Sequence, residues 1–338
     1  MPQMKPKRRQ LLAAGPAALL PSALLPSALL RPRPARAATD WPTRPVRVVM
    51  GYPPGGPTDF PARLLQPSLQ AVWGQPLVIE NRPGANGMIA NEAVAKSAPD
   101  GHTLLMGAAT LTANVALYPN QPVDPLRDLA PVVLIYSSPT VLFTTPQQPF
   151  PDVAAVVAAA REAPGRLTYS TSGNGSGGNF AGALFARAAG IELTHVAYRG
   201  TAPALQDVIA GRVPLTFSTL AGSIALLRDG KLRPLAIAGP DRFPDLLPGV
   251  PTLPELGYDT GDCGPWYGLL APAGTPPAIV AKVAEDVSEA LRQPEIRARF
   301  GEQGGHIVAE GPEPFAERIR HEVPRWVAAV RATGLRSE

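Results

Sequence analysis

The chain holds one cysteine, Cys263, among 338 residues. A lone thiol excludes an internal disulfide and every multi-cysteine metal site. Histidine is scarce too: His102, His195, His306 and His321 are the four present. None stands at a metal-ligand spacing such as H-E-x-x-H, so they read as surface or packed residues. No Gly-rich loop ends in Lys-Ser or Lys-Thr, which removes the phosphate-cradling P-loop. Acidic residues are missing from positions 1–37, and no long apolar run recurs after residue 40. The first absence helps define a leader, and the second predicts that the chain beyond it is soluble.

Lys5, Lys7, Arg8 and Arg9 open the sequence, residues 11–30 carry no charge and are mostly Leu and Ala, and Ala35-Arg36-Ala37 follows. A basic region, an apolar region and a small-x-small site in that order predict a secretory signal peptide over 1–37, cleaved near Ala37. The alternative is an uncleaved anchor. Pro16, Pro21 and Pro26 weaken a spanning helix there. Arg8-Arg9 also fits a twin-arginine export signal. The leader holds seven of the 31 Lys and Arg, so the remaining chain has 24 basic against 27 acidic residues. The excess of positive charge therefore leaves with the leader. A nucleic-acid or anionic-membrane partner loses its electrostatic basis. About 300 residues remain, which suits two lobes better than one core.

From residue 46 onward, short β-rich runs alternate with helical patterns. Val46–Met50, Leu77–Glu80 and Thr103–Met106 read as strands with helices between them. Pro131–Thr145 reads as two apolar β-runs joined through Ser137-Ser138-Pro139. The alternation resumes through strands at 167–170, 194–198, 213–217, 235–238 and 266–271. It closes with two amphipathic helices, one carrying Ile279, Val283, Val287 and Leu291, the other Phe315, Ile319, Trp326 and Val330. Strands alternating with helices predict mostly parallel sheets flanked by helices. The expected architecture is two α/β lobes, the second inserted into the first: lobe one from 38–140 plus 265–338, lobe two from 141–264.

Three Gly-rich turns stand between a strand and a helix: 52–59, 83–87 and 170–178. Each can offer backbone N–H groups to an anion over a helix start, at the strand ends where α/β sheets bind ligands. Gly56, Gly87 and Gly175 are the expected positions where a side chain would intrude. Gly173, Gly175 and Gly178 satisfy G-x-G-x-x-G, but the next strand ends Ala197-Tyr198-Arg199-Gly200 without the acid a ribose needs. A dinucleotide is therefore excluded, and no cofactor or metal is implied. Asn174-Gly175-Ser176-Gly177-Gly178 lacks the first glycine of a nucleophile elbow. An exported hydrolase stays open as an alternative with His195 as a base, but nothing in the sequence places an orienting acid beside it.

These segments together resemble the periplasmic solute-binding proteins of tripartite tricarboxylate transporters, the Bug family. The likeness runs through Trp41-Pro42, Pro45-Val46-Arg47, the Gly-Gly-x-x-Asp turn ending at Asp59, and Glu80-Asn81-Arg82-Pro83-Gly84-Ala85. It continues through 99–104, 174–177 and Thr194-His195-Val196-Ala197-Tyr198-Arg199-Gly200, and ends in 266–276. The resemblance implies a monomeric two-lobed clamshell receptor without catalysis, closing on a small organic carboxylate and meeting a permease of one large and one small membrane subunit. It places the solute against Tyr52, Gly55, Gly56, Thr58, Asp59, Ala85, Asn86, Gly87 and Thr110 in lobe one. In lobe two it points to Ser172, Asn174, Gly175, Ser176, Tyr198, Arg199, Gly200 and Ser218. A sensor handing its loaded form to a periplasmic signalling domain is the other open role. Asn179 stands where many relatives have His, and Pro214 where many have Asp. The missing acid makes an amino-acid solute less expected.

Overall fold

The computed structural model describes residues 40–335, so the expected leader lies outside the described residues. The chain starts with strand β1 (Val46–Met50), helix α1 (Asp59–Trp73), β2 (Leu77–Asn81), α2 (Met88–Ala95), β3 (Thr103–Ala108), α3 (Thr110–Leu117) and β4 (Leu129–Ser137). It crosses at 138–139 into β5 (Thr140–Thr144), α4 (Val153–Glu162), β6 (Thr168–Thr171), α5 (Gly177–Ala189) and β7 (Thr194–Ala197). Then come α6 (Thr201–Ile209), β8 (Leu215–Thr219), α7 (Leu220–Arg228) and β9 (Arg233–Ile237). A long segment returns through Cys263 to β10 (Trp266–Pro272), α8 (Pro277–Arg292), α9 (Pro294–Glu302), β11 (His306–Glu310) and α10 (Pro312–Thr333). Among the described residues no helix is long and apolar enough to cross a membrane.

Two sheets form, ordered β11-β4-β10-β3-β1-β2 and β7-β6-β8-β5-β9. β1 pairs in parallel with β2 and β3, as β6 does with β7 and β8. The sheets are nonetheless mixed, because β10 and β5 run antiparallel to both neighbours. The reason is geometric. β1 to β4 and β6 to β9 end on the edges that carry the crossings. A chain arriving from the other lobe enters at that edge and must run backwards.

Both faces of each sheet are covered, which explains strands such as Val-Arg-Val-Val-Met with little polar alternation. In the first sheet, Met50, Leu65, Leu69, Val283, Val287 and Phe300 form one core and Val49, Leu105, Leu134, Trp266 and Phe315 the other. In the second, Leu142, Phe180, Phe185 and Phe217 pack on one face and Val141, Phe143, Leu205 and Ile224 on the opposite one. The 3.6-residue period places α8 as expected, with Val283, Val287 and Leu291 buried.

Helix α10 divides its side chains between the lobes. Phe315 and Ile319 lie in the first-sheet core, whereas Trp326 and Ala329 lie with Phe180 and Phe185 of the second. The Phe180 and Trp326 rings are 4.4 Å apart. The expectation that 265–338 belongs wholly to lobe one therefore has to allow for a helix that spans both cores. α3, α9 and β11 also stand where no element was expected. Each is short, and an eight- or nine-residue helix shows too few turns to declare a period.

Candidate ligand site

The carboxyl ends of β1, β2 and β3 lead into the turns 51–58, 82–87 and 109, and those of β6, β7 and β8 into 172–176, 198–200 and 219. All lie on the edges that carry the crossings, so the two sets of turns face one cleft. The turns that carry the expected residues lie at those edges, and Gly175 of lobe two approaches Asn86 of lobe one.

In lobe one, Tyr52 joins three turns. Its hydroxyl shares a hydrogen bond with Thr110 Oγ1, and a Cβ on Gly87 would stand 3.4 Å from the same oxygen. Burial pushes the Tyr52 phenol up to about 12, against the lowering effect of that bond, so it stays a neutral anchor. Asn81 at the end of β2 donates to Tyr52 O (3.0 Å) and to Asp59 Oδ1 (3.3 Å). Asp59 is 2% exposed. Its Oδ2 accepts from Gly55 N (3.0 Å) and Arg63 Nε (2.6 Å). Burial pushes its carboxyl up, but the bonds from Arg63, Gly55 and Asn81 prevail and hold it below the ordinary range. Asp59 and Gly55 thus satisfy one another and build the turn from behind. The glycine constraint falls on Gly55, at φ 82°, whereas a Cβ on Gly56 would meet nothing closer than 3.6 Å. Thr58 precedes α1 but makes no capping bond. Its hydroxyl is buried without a partner among the described residues.

The second lobe-one turn is strained. Gly84, Ala85, Asn86 and Gly87 all have positive φ (137°, 45°, 52° and 87°), a conformation costly for Ala85 in particular. Asn86 and Asn114 hold it there: Asn86 Nδ2 donates to Asn114 Oδ1 (2.8 Å) and Asn114 Nδ2 to Asn86 O (3.1 Å). The N–H groups of Gly56, Ala85 and Asn86 make no hydrogen bond among the described residues. Unpaired backbone donors at a turn before a helix suit an anion.

In lobe two, Ser176 caps α5: its Oγ accepts from Asn179 N (3.2 Å) and donates to Gly173 O (2.7 Å). That hydroxyl is spent on the turn. Gly178 is required for packing, since a Cβ would lie 2.2 Å from Phe217 O, so the G-x-G-x-x-G pattern reports helix–strand contact. Tyr198 OH donates to Asp207 Oδ2 (2.5 Å), an acid that Arg212 also holds. The Tyr198 hydroxyl therefore faces α6. Gly200 N donates to Ser172 O (3.0 Å), tying the two lobe-two turns together. Ser218 Oγ accepts from Ser223 Oγ (2.9 Å). Asn174 N makes no bond among the described residues, and Arg199 is exposed without an ion pair there. The two lobes touch at Gly175, whose Cβ would stand 2.5 Å from Leu117 Cδ1 and 3.3 Å from Asn86 Nδ2. Pro214, by contrast, precedes β8 at the opposite sheet edge and accepts from Thr144 Oγ1. The missing acid is far from the turns and carries no argument about the solute.

Two α/β lobes whose ligand turns meet across a double crossing define a clamshell solute-binding protein. The chain matches the model of the tripartite tricarboxylate transporter family receptor over residues 61–335. It belongs to that family. Protein BugT of Bordetella pertussis is 36% identical over 300 residues, covering 88% of this chain and 92% of BugT. Among solved structures, Rpa4515 of R. palustris with adipate superposes at TM-score 0.80 with 35% identity, covering 88% of this chain and 99% of that one. MatC from Rhodopseudomonas palustris with bound malate gives TM-score 0.77 and 36% identity, covering 86% and 100%.

Proposed function

We propose that this chain is an exported monomeric receptor that captures a small organic carboxylate and hands it to a membrane permease of a large and a small subunit. The observation that carries the reading is the set of unpaired N–H groups at Gly56, Ala85 and Asn86 beside the buried, partnerless Thr58 hydroxyl. Together they would hold a carboxylate without a cationic side chain, as backbone donors at helix starts favour anions. Asn174 and Arg199 would meet the rest of the solute from lobe two. The relatives holding adipate and malate support a dicarboxylate. Asp59, Ser176 and Tyr198 would act through the turns they hold.

Closure is the testable consequence. Contacts from both lobes are satisfied together only with the cleft shut, so ligand shifts the population toward the closed form. A thermal-shift screen of mono-, di- and tricarboxylates, adipate and malate included, should identify a stabilising solute. At 100 times its Kd it adds about 2.7 kcal/mol. Solution scattering should then show a smaller radius of gyration with ligand than without. An unchanged radius at saturation sinks the clamshell mechanism, and turnover of simple esters would replace the receptor with a hydrolase.

Export has its own measurement. Protein recovered from the cell envelope should begin at Ala38 or within a residue or two of it, and an intact Met1 in the membrane fraction would restore the anchor.

A further inference from the structure

Beneath the lobe-two turn, a closed ring of hydrogen bonds starts and ends on its glycines. Gly175 N donates to Asn179 Oδ1 (3.1 Å), and Asn179 Nδ2 lies 3.2 Å from His195 Nδ1. His195 Nε2 lies 2.7 Å from Thr171 Oγ1, which in turn bonds Gly173 O and accepts from Gly173 N, each at 3.2 Å. Asn179 is 2% exposed, and the ring crosses three elements: β6, α5 and β7.

The protons in this ring can be assigned. A backbone N–H has only a proton to give, so the Asn179 carbonyl faces Gly175 and its NH2 faces His195. His195 Nδ1 must then be a lone pair, and the proton of the neutral ring sits on Nε2. Nε2–H donates to Thr171, whose own hydroxyl proton goes to Gly173 O. Only the neutral Nε2–H imidazole fits.

We propose that Asn179 and His195 are positioning residues that set the lobe-two ligand turn, and that protonation of His195 loosens this turn and weakens solute binding. A proton on Nδ1 would face the Asn179 NH2, donor against donor. Turning the amide over only moves the conflict, because NH2 would then face Gly175 N–H. Either way one bond on Gly173–Ser176 is lost. The same β7 leads into Tyr198–Gly200, and Gly200 N is bonded to Ser172 O, so both lobe-two turns feel the change.

Among the described residues no ion pair competes for the ring. Of titratable groups, Tyr169 of β6 lies against it: its ring centre is 5.0 Å from that of His195, and its hydroxyl takes the second N–H of the Asn179 amide. Burial raises that phenol far above neutrality. α5 presents Asn179, and β7 is the outermost strand of its sheet. Burial alone shifts His195, and it lowers the imidazole below its usual 6.5. A lowered value keeps the ring neutral at pH 7, and binding is lost as pH falls through it.

The ligand arm of the test rests on the receptor reading; the spectroscopic arm does not. In 15N-labelled protein, long-range imidazole correlations from pH 8 to 5 should show the Nε2–H tautomer, with the Gly175 amide moving at the same midpoint. Asn179→Asp places a carboxylate beside Nδ1 and should raise that midpoint by about one unit or more. His195→Gln should abolish the Gly175 transition. With adipate or malate as probe, wild-type affinity should fall about three- to tenfold through the midpoint, the worth of one hydrogen bond. His195→Gln should bind with a flat profile. A Gly175 amide indifferent to the His195 titration, an Nδ1–H tautomer, or an unmoved midpoint in Asn179→Asp overturns the proposal. Failure of both probes to bind at pH 7.5 counts against the receptor reading, while the spectra alone still support or overturn the His195 switch.

Discussion

Glu322→Ala should lower the stability of this protein by about 3 kcal/mol, and its melting temperature by roughly 6–10 °C. Glu322 is 6% exposed on α10, where that helix passes from one core to the other. Its Oε2 accepts from Trp266 Nε1 (2.8 Å) of β10 and bonds Thr112 Oγ1 (2.9 Å) of α3. Trp326 Nε1 donates to the same Thr112 oxygen (3.1 Å). Alanine would leave the Trp266 N–H buried without an acceptor, and buried orphans are the expensive ones. Burial pushes the Glu322 carboxyl up, against the bonds from Trp266 and Thr112 and the nearby Arg325 and Arg318. A raised carboxyl contributes stability that is present below its ordinary value and fades as pH rises through the folded one. Urea unfolding across pH 4–8 should show that slope in wild type and not in Glu322→Gln, which keeps an acceptor. An alanine variant as stable as wild type would remove the network from any account of how the lobes are joined.

Gly51→Ala should cost on the order of 10- to 100-fold in affinity for the identified carboxylate while leaving the fold intact. A Cβ at Gly51 would lie 2.4 Å from Gly87 Cα and 3.0 Å from Gly87 O. Those are backbone atoms, and no rotamer can move them. The turns at 51–58 and 82–87 must separate, and with them the N–H groups of Gly56 and of Ala85 and Asn86. Losing one charge-assisted hydrogen bond accounts for that range. Gly301→Ala is the control, since an added Cβ there meets nothing within 4 Å and the residue lies in α9 without a positive φ. Titration calorimetry on both variants decides the matter. Wild-type affinity in Gly51→Ala would mean that the solute does not rest on these turns.

Much of the architecture was legible in the chain. Val46–Met50 and the buried stripe of α8 follow from local pattern, because a doubly covered strand must be apolar throughout and a helix buries every third or fourth residue. The family was legible as well, since its turns recur in order along nearly the whole chain. The turns themselves were legible only as locations. Glycine spacing marked 52–59, 83–87 and 170–178, but it did not say which N–H groups are spent internally. Gly55 N goes to Asp59, and Gly175 N to Asn179. The acid and the amide each sit four residues after their glycine, a spacing that could have signalled a side chain folding back on its own turn.

Length, charge, scarce cysteine and the period of each segment are properties of the sequence by itself. They determined an α/β protein of two lobes with Gly-rich turns at strand ends and no metal-binding or dinucleotide motif. Pairing between segments distant along the chain is decided by packing, and only the tertiary structure could supply it. It placed antiparallel β5 and β10 inside the sheets, because a crossing strand enters from the cleft edge. It carried α10 from one core into the other, because Trp326 finds Phe180 there. It brought Asn179 and His195, 16 residues apart, to the same turn, because parallel β6 and β7 lie side by side beneath α5.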